Sequence, residues 1–342
     1  MDILLGLEAL AGRRYPSPIV TWGVFDGVHR GHAAVLDHAV LWAGVRRSAA
    51  VVLTFDPHPE TVLTGRPVPL LTPLAARLRL LAARGFAAAV VIPFTKEFAH
   101  TSPERFLDGV VVRRLGAAGV VLGFDSAFGL DRRGNLDLLR RIASGRRLEV
   151  REVPPLRERG RILGSSAIRA DLSAGRLDDV ARALGRRFAL EAPVVRGDGR
   201  GRTLGFPTAN LAADGLARPP AGVYGAIART GGLRRPALVN IGTRPTVTAE
   251  TTCPVPCPSP SATTVAGGDG LWYRVEAHLL DYDGDLYGRV LEIAFLGRLR
   301  DERKFPSVDE LRRQIESDRE RFRTELLRGW LTRFEREELG IR

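Results

Sequence analysis

Lysine, cysteine and long apolar runs are scarce in this chain of 342 residues, and each scarcity excludes a class of protein. Lys96 and Lys304 are the only lysines, and neither follows a glycine loop, so a nucleoside triphosphatase with a Gly-x-x-x-x-Gly-Lys-[Ser/Thr] loop is excluded. The two cysteines, Cys253 and Cys257, have no second pair to complete a zinc site. We interpret them as loop thiols without redox chemistry.

The apolar runs are too short to cross a membrane. Residues 87–94 form one of the longest, far below the roughly 20 apolar residues that a spanning helix needs. The first ten residues, MDILLGLEAL, lack the basic start of a signal peptide. We therefore expect a cytoplasmic protein without membrane contact, whose 44% hydrophobic residues can bury two cores.

Basic residues outnumber acidic ones, 51 to 39, which gives a formal charge of +12. Such a charge can indicate nucleic-acid binding. Here, however, the arginines are scattered among alanines and are not gathered in a tail, which is typical of a preference for Arg and Ala codons. We expect small anions as ligands and no nucleic acid, and the sequence leaves open whether the chain forms a homo-oligomer.

Valine-rich apolar runs alternate with helical segments in the first half of the chain. The predicted strands are residues 19–25, 49–55, 87–94 and 119–124. Residues 73–85 open on proline and close on glycine, as helices do. The alternation predicts an α/β domain with a Rossmann-like parallel sheet, which binds ligands at the carboxyl ends of its strands.

The second half, after about residue 185, has short strand candidates separated by Gly, Pro and Asp turns, which predicts a small antiparallel β-barrel. Alternation is clearest over 273–279, where Arg274, Glu276 and His278 share the polar face. A terminal helix is predicted from Ser307, packed on the barrel through a stripe of Leu311, Ile315, Phe322, Leu326 and Trp330. Residues 249–270 are rich in Pro, Ser, Thr and Gly and are interpreted as a flexible insertion. We therefore expect domains at 1–186 and 187–342.

The stretch TWGVFDGVHRGHAAVL, residues 21–36, runs from a predicted strand into a predicted helix. Gly23 and Gly27 fall on the turn, and His29 and His32 fall in the first helical turn, on one face. That face lies beside unpaired backbone N–H groups and the positive end of the helix dipole. Two histidines three apart are often only a solvated helix face, but in this context they predict a polyphosphate site.

These residues resemble the His-x-Gly-His family of nucleotidylyltransferases. Further blocks follow in the order found in the FAD synthetase module of bacterial bifunctional riboflavin kinase/FAD synthetases, at residues 54–63, 101–107, 123–135 and 163–188. The resemblance implies catalytic roles for His29, His32 and Arg169. It implies ATP or phosphate binding by Gly23, Phe25, Asp26, Gly27, Ser165 and Ser166, and flavin binding by Asp125 and Phe128.

One block departs from the family pattern. Where the family tends to have Asp/Asn-Phe-x-Phe-Gly, residues 125–129 read Asp-Ser-Ala-Phe-Gly, so Ser126 replaces an aromatic residue and Ala127 follows it. The resemblance places this segment near the flavin. A harmless loop substitution and an altered flavin affinity or selectivity both remain open.

A second glycine-rich stretch, GDGRGRTLGFPTANL, occupies residues 197–211. A glycine turn alone is commonly a hairpin, but Phe-Pro-Thr-Ala-Asn resembles the motif of riboflavin kinases, as do residues 222–226, 239–246, 275–288 and 304–315. The resemblance implies that Gly199, Gly201, Gly205 and Thr208 bind ATP, that Asn210 contacts flavin, and that Glu276 is catalytic. The oxygens of Thr208 and Asn210 suit Mg²⁺. Asp281, Asp283 and Asp285 are interpreted as a hairpin turn without metal.

The favoured hypothesis is a bifunctional transferase that phosphorylates riboflavin to FMN and adenylylates FMN to FAD, with Mg·ATP in each step. Riboflavin, FMN, FAD and ATP are then the expected ligands. Two alternatives stay open: a riboflavin kinase whose first module is weakened or altered in specificity, and a flavin- or RNA-binding regulator without turnover.

Overall fold

The computed structural model describes residues 1–197, 199, 201, 205–244 and 272–332. The chain divides into two compact units, Met1–Ala167 with Ala183–Gly185 and Ile168–Arg182 with Arg186–Arg342. The predicted insertion at 249–270, which holds both cysteines, lies outside the described residues. No helix in the described part is long and apolar enough to cross a membrane.

The first unit is built on a six-stranded sheet in which every neighbouring pair is parallel. Its strands are β1 (Asp2–Leu5), β2 (Ile19–Trp22), β3 (Ala50–Asp56), β4 (Ala88–Pro93), β5 (Gly119–Gly123) and β6 (Glu149–Val153). They lie in the order β1-β4-β3-β2-β5-β6. The predicted parallel sheet is confirmed, and the structure adds β1 and β6 at its two edges.

Helices connect these strands. They are α1 (Arg30–Val45), α2 (Pro59–Thr64), α3 (Leu74–Ala82), α4 (Lys96–Ala99), α5 (Pro103–Phe106) and α6 (Leu136–Ser144). Two further helices, α7 (Ser165–Ser173) and α8 (Leu177–Leu184), come after the last strand of the sheet, and residues 168–182 belong to the second unit. A π-helical segment spans Leu107–Arg114, and a two-stranded ribbon is formed by β7 (Arg157–Glu158) and β8 (Arg161–Ile162).

Both faces of the sheet are covered, which explains the continuous apolar runs of its central strands. Successive residues of a strand point to opposite faces. Val20 and Val51 accordingly belong to one buried cluster, and Ile19 and Val52 belong to another that includes residues of α1 and α3.

The barrel of the second unit is closed by six strands with antiparallel pairing throughout. They are β9 (Ala189–Val195), β10 (Ala209–Leu211), β11 (Gly222–Thr230), β12 (Leu233–Arg244), β13 (Trp272–Leu279) and β14 (Val290–Arg300), in the order β10-β13-β12-β11-β14-β9. The predicted barrel is therefore confirmed.

A terminal helical segment packs on the barrel, as predicted, but the buried cluster contains Phe322, Leu327 and Leu331 with Trp330 against it, and does not include Leu311 or Ile315 of the predicted stripe. It consists of α9 (Val308–Arg321), a π-helical turn (Phe322–Leu326) and α10 (Leu327–Trp330). The paired glycines Gly225 and Gly297 make room for it, since a Cβ at Gly225 would lie 2.4 Å from Phe322 and one at Gly297 would lie 2.7 Å from Trp330.

Candidate active sites

The loop after β2 is held in an unusual conformation by a buried carboxylate. The backbone φ angle is 53° at Phe25 and 82° at Gly27, where a Cβ would also lie 2.9 Å from Leu71. The two carboxylate oxygens of Asp26 accept hydrogen bonds from the backbone N–H groups of Leu71 and Thr72, each at 3.0 Å. Both carboxylate oxygens of Asp26 are therefore engaged in holding the loop after β2.

His29 is the N-cap residue of α1, one position before the helical turn in which the sequence placed it. Its Nδ1 accepts a hydrogen bond from the backbone N–H of His32 at 3.2 Å, and the two imidazole rings stack with centroids 3.6 Å apart. Gly31, between the two histidines, leaves room for the His29 ring in this position, because a Cβ at residue 31 would lie 3.1 Å from that ring. The ring proton of His29 consequently sits on Nε2.

His32 is the second imidazole of this site. Its Nδ1 is buried without a hydrogen-bond partner, and the edge of its ring meets Phe25 at a centroid distance of 5.3 Å. Desolvation, followed by repulsion from His29, holds the pKa of His32 well below its ordinary value. His32 is therefore a neutral imidazole near pH 7.

Arg77, on α3, is a buried residue that sequence reasoning missed. Its guanidinium donates to the carbonyl of Val24 at 2.8 Å and to that of Phe55 at 3.0 Å, which joins the loop after β2 to the end of β3. Burial lowers its pKa, and the neighbouring carboxylates of Asp26 and Asp56 oppose that change. No sequence signal separates Arg77 from the other arginines of an arginine-rich chain.

The Ser-Ser-x-x-Arg element begins α7. The Ser165 hydroxyl donates to the carbonyl oxygen of Asp26 at 2.9 Å, which ties the start of this helix to the loop after β2. Ser166 follows as an exposed residue, and Arg169 lies four residues after Ser165 on the same helix. The structure thus brings Ser165 together with the Asp26 loop.

The segment predicted to lie near flavin, residues 125–129, contains one buried ring, and the residue before it carries an exposed ring. Phe128 is buried and meets Trp22 edge-to-face at 5.2 Å, so its ring belongs to the core below the sheet edge. Phe124, which the sequence did not single out, is 38% exposed directly after β5, and Asp125 beside it is exposed too. Of these two rings, Phe124 therefore offers the accessible apolar face.

In the second unit, the glycine stretch lies directly against the Phe-Pro-Thr-Ala-Asn turn. A Cβ at Gly201 would lie 2.9 Å from the Thr208 hydroxyl, and one at Gly197 would lie 2.2 Å from the Asn210 amide nitrogen. The backbone N–H of Phe206 donates to the carbonyl of Gly201 at 2.8 Å. Gly199 and Gly205 have φ angles of 71° and 86°, which favour glycine.

Glu276 stands in a row of polar residues across three strands. It pairs with Asn210 of β10 on one side and with Asn240 of β12 on the other, and residues directly opposite in a sheet share a face. Arg274 donates to its Oε1 at 3.1 Å. Asn240 is a further residue that the sequence did not mark, because an asparagine in a strand carries no signal of its own.

The acidic residues after β13 form a turn. Asp281 has a φ angle of 54°, and the Asp285 carboxylate accepts the backbone N–H of Tyr287 at 2.9 Å. Within the described residues, no group of three His, Cys, Asp or Glu side chains could hold a metal ion.

A parallel-sheet unit with a His-x-Gly-His loop at its strand ends and a barrel unit with a glycine-backed Thr/Asn turn together define a two-domain nucleotide-dependent transferase. The FAD synthetase family model matches residues 14–167, and the riboflavin kinase family model matches residues 184–326. The chain belongs to the family of bifunctional riboflavin kinase/FMN adenylyltransferases.

Individual relatives share this arrangement along nearly their whole length. The bifunctional riboflavin kinase/FMN adenylyltransferase of Escherichia coli K12 is 32% identical over 93% of this chain and 96% of its own. That of Bacillus subtilis 168 is 32% identical over 88% of this chain and 90% of its own. A crystal structure described as a macrolide-efflux protein from Streptococcus pneumoniae is 27% identical, with a TM-score of 0.76, and covers 95% of this chain and 99% of its own.

Proposed function

We propose that the chain converts riboflavin to FAD in two ATP-dependent steps: it phosphorylates riboflavin to FMN and then adenylylates FMN, releasing pyrophosphate. The observation that carries this proposal is that the match at 14–167 contains the His29/His32 loop together with Ser165 and Ser166, and the match at 184–326 contains the Thr208 turn together with Glu276. We place riboflavin, FMN, FAD and ATP as substrates and products on this ground.

For adenylyl transfer, a phosphate oxygen of FMN attacks the α-phosphorus of ATP, the bond to the bridging oxygen breaks, and pyrophosphate leaves. No protein nucleophile is needed, so the site works by alignment and charge stabilisation. We assign His29 and His32 as neutral N–H donors to the phosphate oxygens. Ser165, Ser166 and Arg169 are assigned to the departing pyrophosphate, and the backbone of residues 23–27 lines the approach.

For phosphorylation, Glu276 accepts the proton of the riboflavin 5′-hydroxyl as that oxygen attacks the γ-phosphorus and ADP leaves. Asn210 and Asn240, which flank Glu276 in the polar row, lie on the same face and are neighbours of the same hydroxyl. The glycines from 197 to 205 let the backbone approach the ATP phosphates.

We assign Mg²⁺ to the Thr208 hydroxyl and the Asn210 amide oxygen. These are hard oxygen donors of the kind that Mg²⁺ prefers while keeping several water ligands. Neither side chain makes a hydrogen bond to another residue that the structure describes, and bare glycines face both. When bound, the ion neutralises charge on the ATP phosphates.

The test of the whole proposal is a time course. Purified protein is incubated with riboflavin, ATP and Mg²⁺, and the flavins are separated by chromatography. We expect FMN to appear first and FAD to follow. Accumulation of FMN alone would indicate a first site weakened at residues 123–129, and no turnover of either flavin would favour a regulator that only binds.

A smaller change tests the glycine that lies against Asn210 in the kinase site. Gly197→Ala should lower the rate of FMN formation about tenfold or more, because the new methyl group displaces the Asn210 amide from its position. FAD formation from supplied FMN should not change. The matched control is Gly329→Ala, where a Cβ meets nothing within 4 Å. Equal rates for both variants and the parent would remove Asn210 from the kinase site.

A further inference from the structure

His278 has no role in the assignments above, yet it lies two residues beyond Glu276 on the same face of β13. Its ring is half-buried, and its Nδ1 lies 2.9 Å from the carbonyl oxygen of Pro207. A carbonyl oxygen can only accept, so Nδ1 carries the proton and donates it. His278 therefore holds the backbone of the turn that bears Thr208.

The same ring also packs against the residue before that carbonyl. Phe206 is buried and meets His278 edge-to-face, with centroids 5.6 Å apart and planes at 87°. The guanidinium of Arg319, on α9, lies 5.7 Å from the centre of the Phe206 ring. Phe206 is thus fixed from the strand side and from the terminal helix.

The two ends of the turn are held independently of His278. The N–H of Phe206 bonds to Gly201, and Ala209 and Asn210 pair with Ala277 and Glu276 in the barrel sheet. The peptide between residues 207 and 208 lies between these anchors.

Pro207 makes this peptide depend on His278. Proline has no N–H, so the carbonyl group is the only hydrogen-bonding group in its backbone. That carbonyl belongs to the planar peptide unit that includes the backbone nitrogen and the Cα of Thr208. A hydrogen bond to this carbonyl therefore fixes the orientation of the peptide plane, and with it the position of the Cα that carries the Thr208 side chain.

The charge state of His278 is compatible with this contact. Burial lowers the pKa of His278, and Arg319 lowers it further, while the bond to Pro207 and the charge of Asp281 oppose that change. A neutral ring with its proton on Nδ1 satisfies the carbonyl and adds no positive charge beside the proposed metal ligands.

We propose that His278 is a positioning residue of the kinase site: through its Nδ1–H bond to Pro207, it aims the Thr208 hydroxyl at the metal. The inference rests on the proposed function of Thr208 as a Mg²⁺ ligand. It assigns a task to a residue that does not itself touch the nucleotide or the ion.

The test compares His278→Leu with His278→Asn. The leucine fills space but cannot donate, whereas the Asn amide N–H reaches a position similar to that of Nδ1. His278→Leu should raise the Mg²⁺ concentration for half-maximal FMN formation about tenfold or more, as losses of supporting contacts at metal ligands do. At saturating Mg²⁺ its kcat should fall much less. His278→Asn should restore most of the Mg²⁺ dependence of the parent.

Two further measurements separate positioning from misfolding. Binding of Mn²⁺ in the presence of ADP, followed by electron paramagnetic resonance, should weaken at one class of site in His278→Leu and recover in His278→Asn. FAD formation from supplied FMN should be unchanged in both, which reports that the full chain is folded.

Thr208→Ala serves as the reference. If it changes neither the Mg²⁺ dependence nor Mn²⁺ binding, the assignment of Thr208 fails and the proposal for His278 fails with it. If Thr208→Ala shifts both while His278→Leu shifts neither, only the proposal for His278 is overturned. It is also overturned if the Leu and Asn variants lose Mg²⁺ affinity equally, because packing would then account for the loss.

Discussion

His29→Ala should lower the rate of FAD formation from FMN by about 10²-fold or more, which is the usual cost of losing one preorganised donor to transition-state charge. The reason is that Nδ1 of His29 is engaged by the N–H of His32, which leaves Nε2–H as its donor. FMN formation should stay near the parent value, because Glu276 and the Thr208 turn belong to the other compact unit. The measurement is the initial rate of each step, started separately from riboflavin and from FMN.

His29→Ala also removes the N-cap of α1, because the His29 side chain accepts the backbone N–H of His32 in the first turn of that helix. Losing an N-cap costs about 1 kcal/mol of stability, which a thermal melt would detect. His29→Asn is the matched control, since asparagine is among the best N-cap residues and keeps the bond to His32. We expect it to melt like the parent and still to lose most FAD formation. Recovery of the rate by Asn would mean that His29 acts as a cap and not as a donor.

The central strands could be predicted because both faces of the sheet are covered, so valine and alanine run on without polar interruption. The residues at which these strands end could not be predicted. The strand predicted to reach residue 25 stops at Trp22, because Phe25 takes a left-handed backbone conformation that no sequence signal announces. The edge strands β1 and β6 were missed because they are short and mostly exposed.

The site residues likewise fall into those that the sequence predicts and those that only the structure reveals. Histidines three apart on a glycine turn, and threonine and asparagine after a proline, are recognisable from their neighbours along the chain. Arg77 and Asn240 become visible only when distant segments meet, the first across two strand ends and the second across a barrel register. Tertiary contacts of this kind are not encoded in local spacing.

Replacement of Glu276 should abolish most kinase activity. Glu276→Gln keeps the shape of the side chain and can still accept a bond from Arg274, but it no longer carries the carboxylate that accepts the riboflavin proton. We expect FMN formation to fall about 10²- to 10⁴-fold, the range for loss of a general base. FAD formation from supplied FMN should remain, and the two rates are measured by chromatography on the same preparation.

Arg274 provides the control that this prediction needs, because the ion pair alone could explain a loss. The Arg274 and Glu276 side chains are 29% and 24% exposed, and pairs near the surface contribute on the order of 0–1 kcal/mol. Arg274→Met removes the charge and keeps much of the apolar stem. We expect it to retain most of the FMN-forming rate, since the carboxylate and its neighbours Asn210 and Asn240 are still present.

The comparison of the two variants decides what Glu276 does. A general base acts through its own carboxylate, so Glu276→Gln must be far slower than Arg274→Met. A purely structural ion pair loses its charge attraction in either variant, so a loss of FMN formation in Arg274→Met as large as that in Glu276→Gln would take the proton-accepting role away from Glu276. In that outcome the hydroxyl would have to be oriented by the two asparagines of the polar row. Attack on the γ-phosphorus would then depend on alignment with little help from a base, as a loose phosphoryl transition state permits.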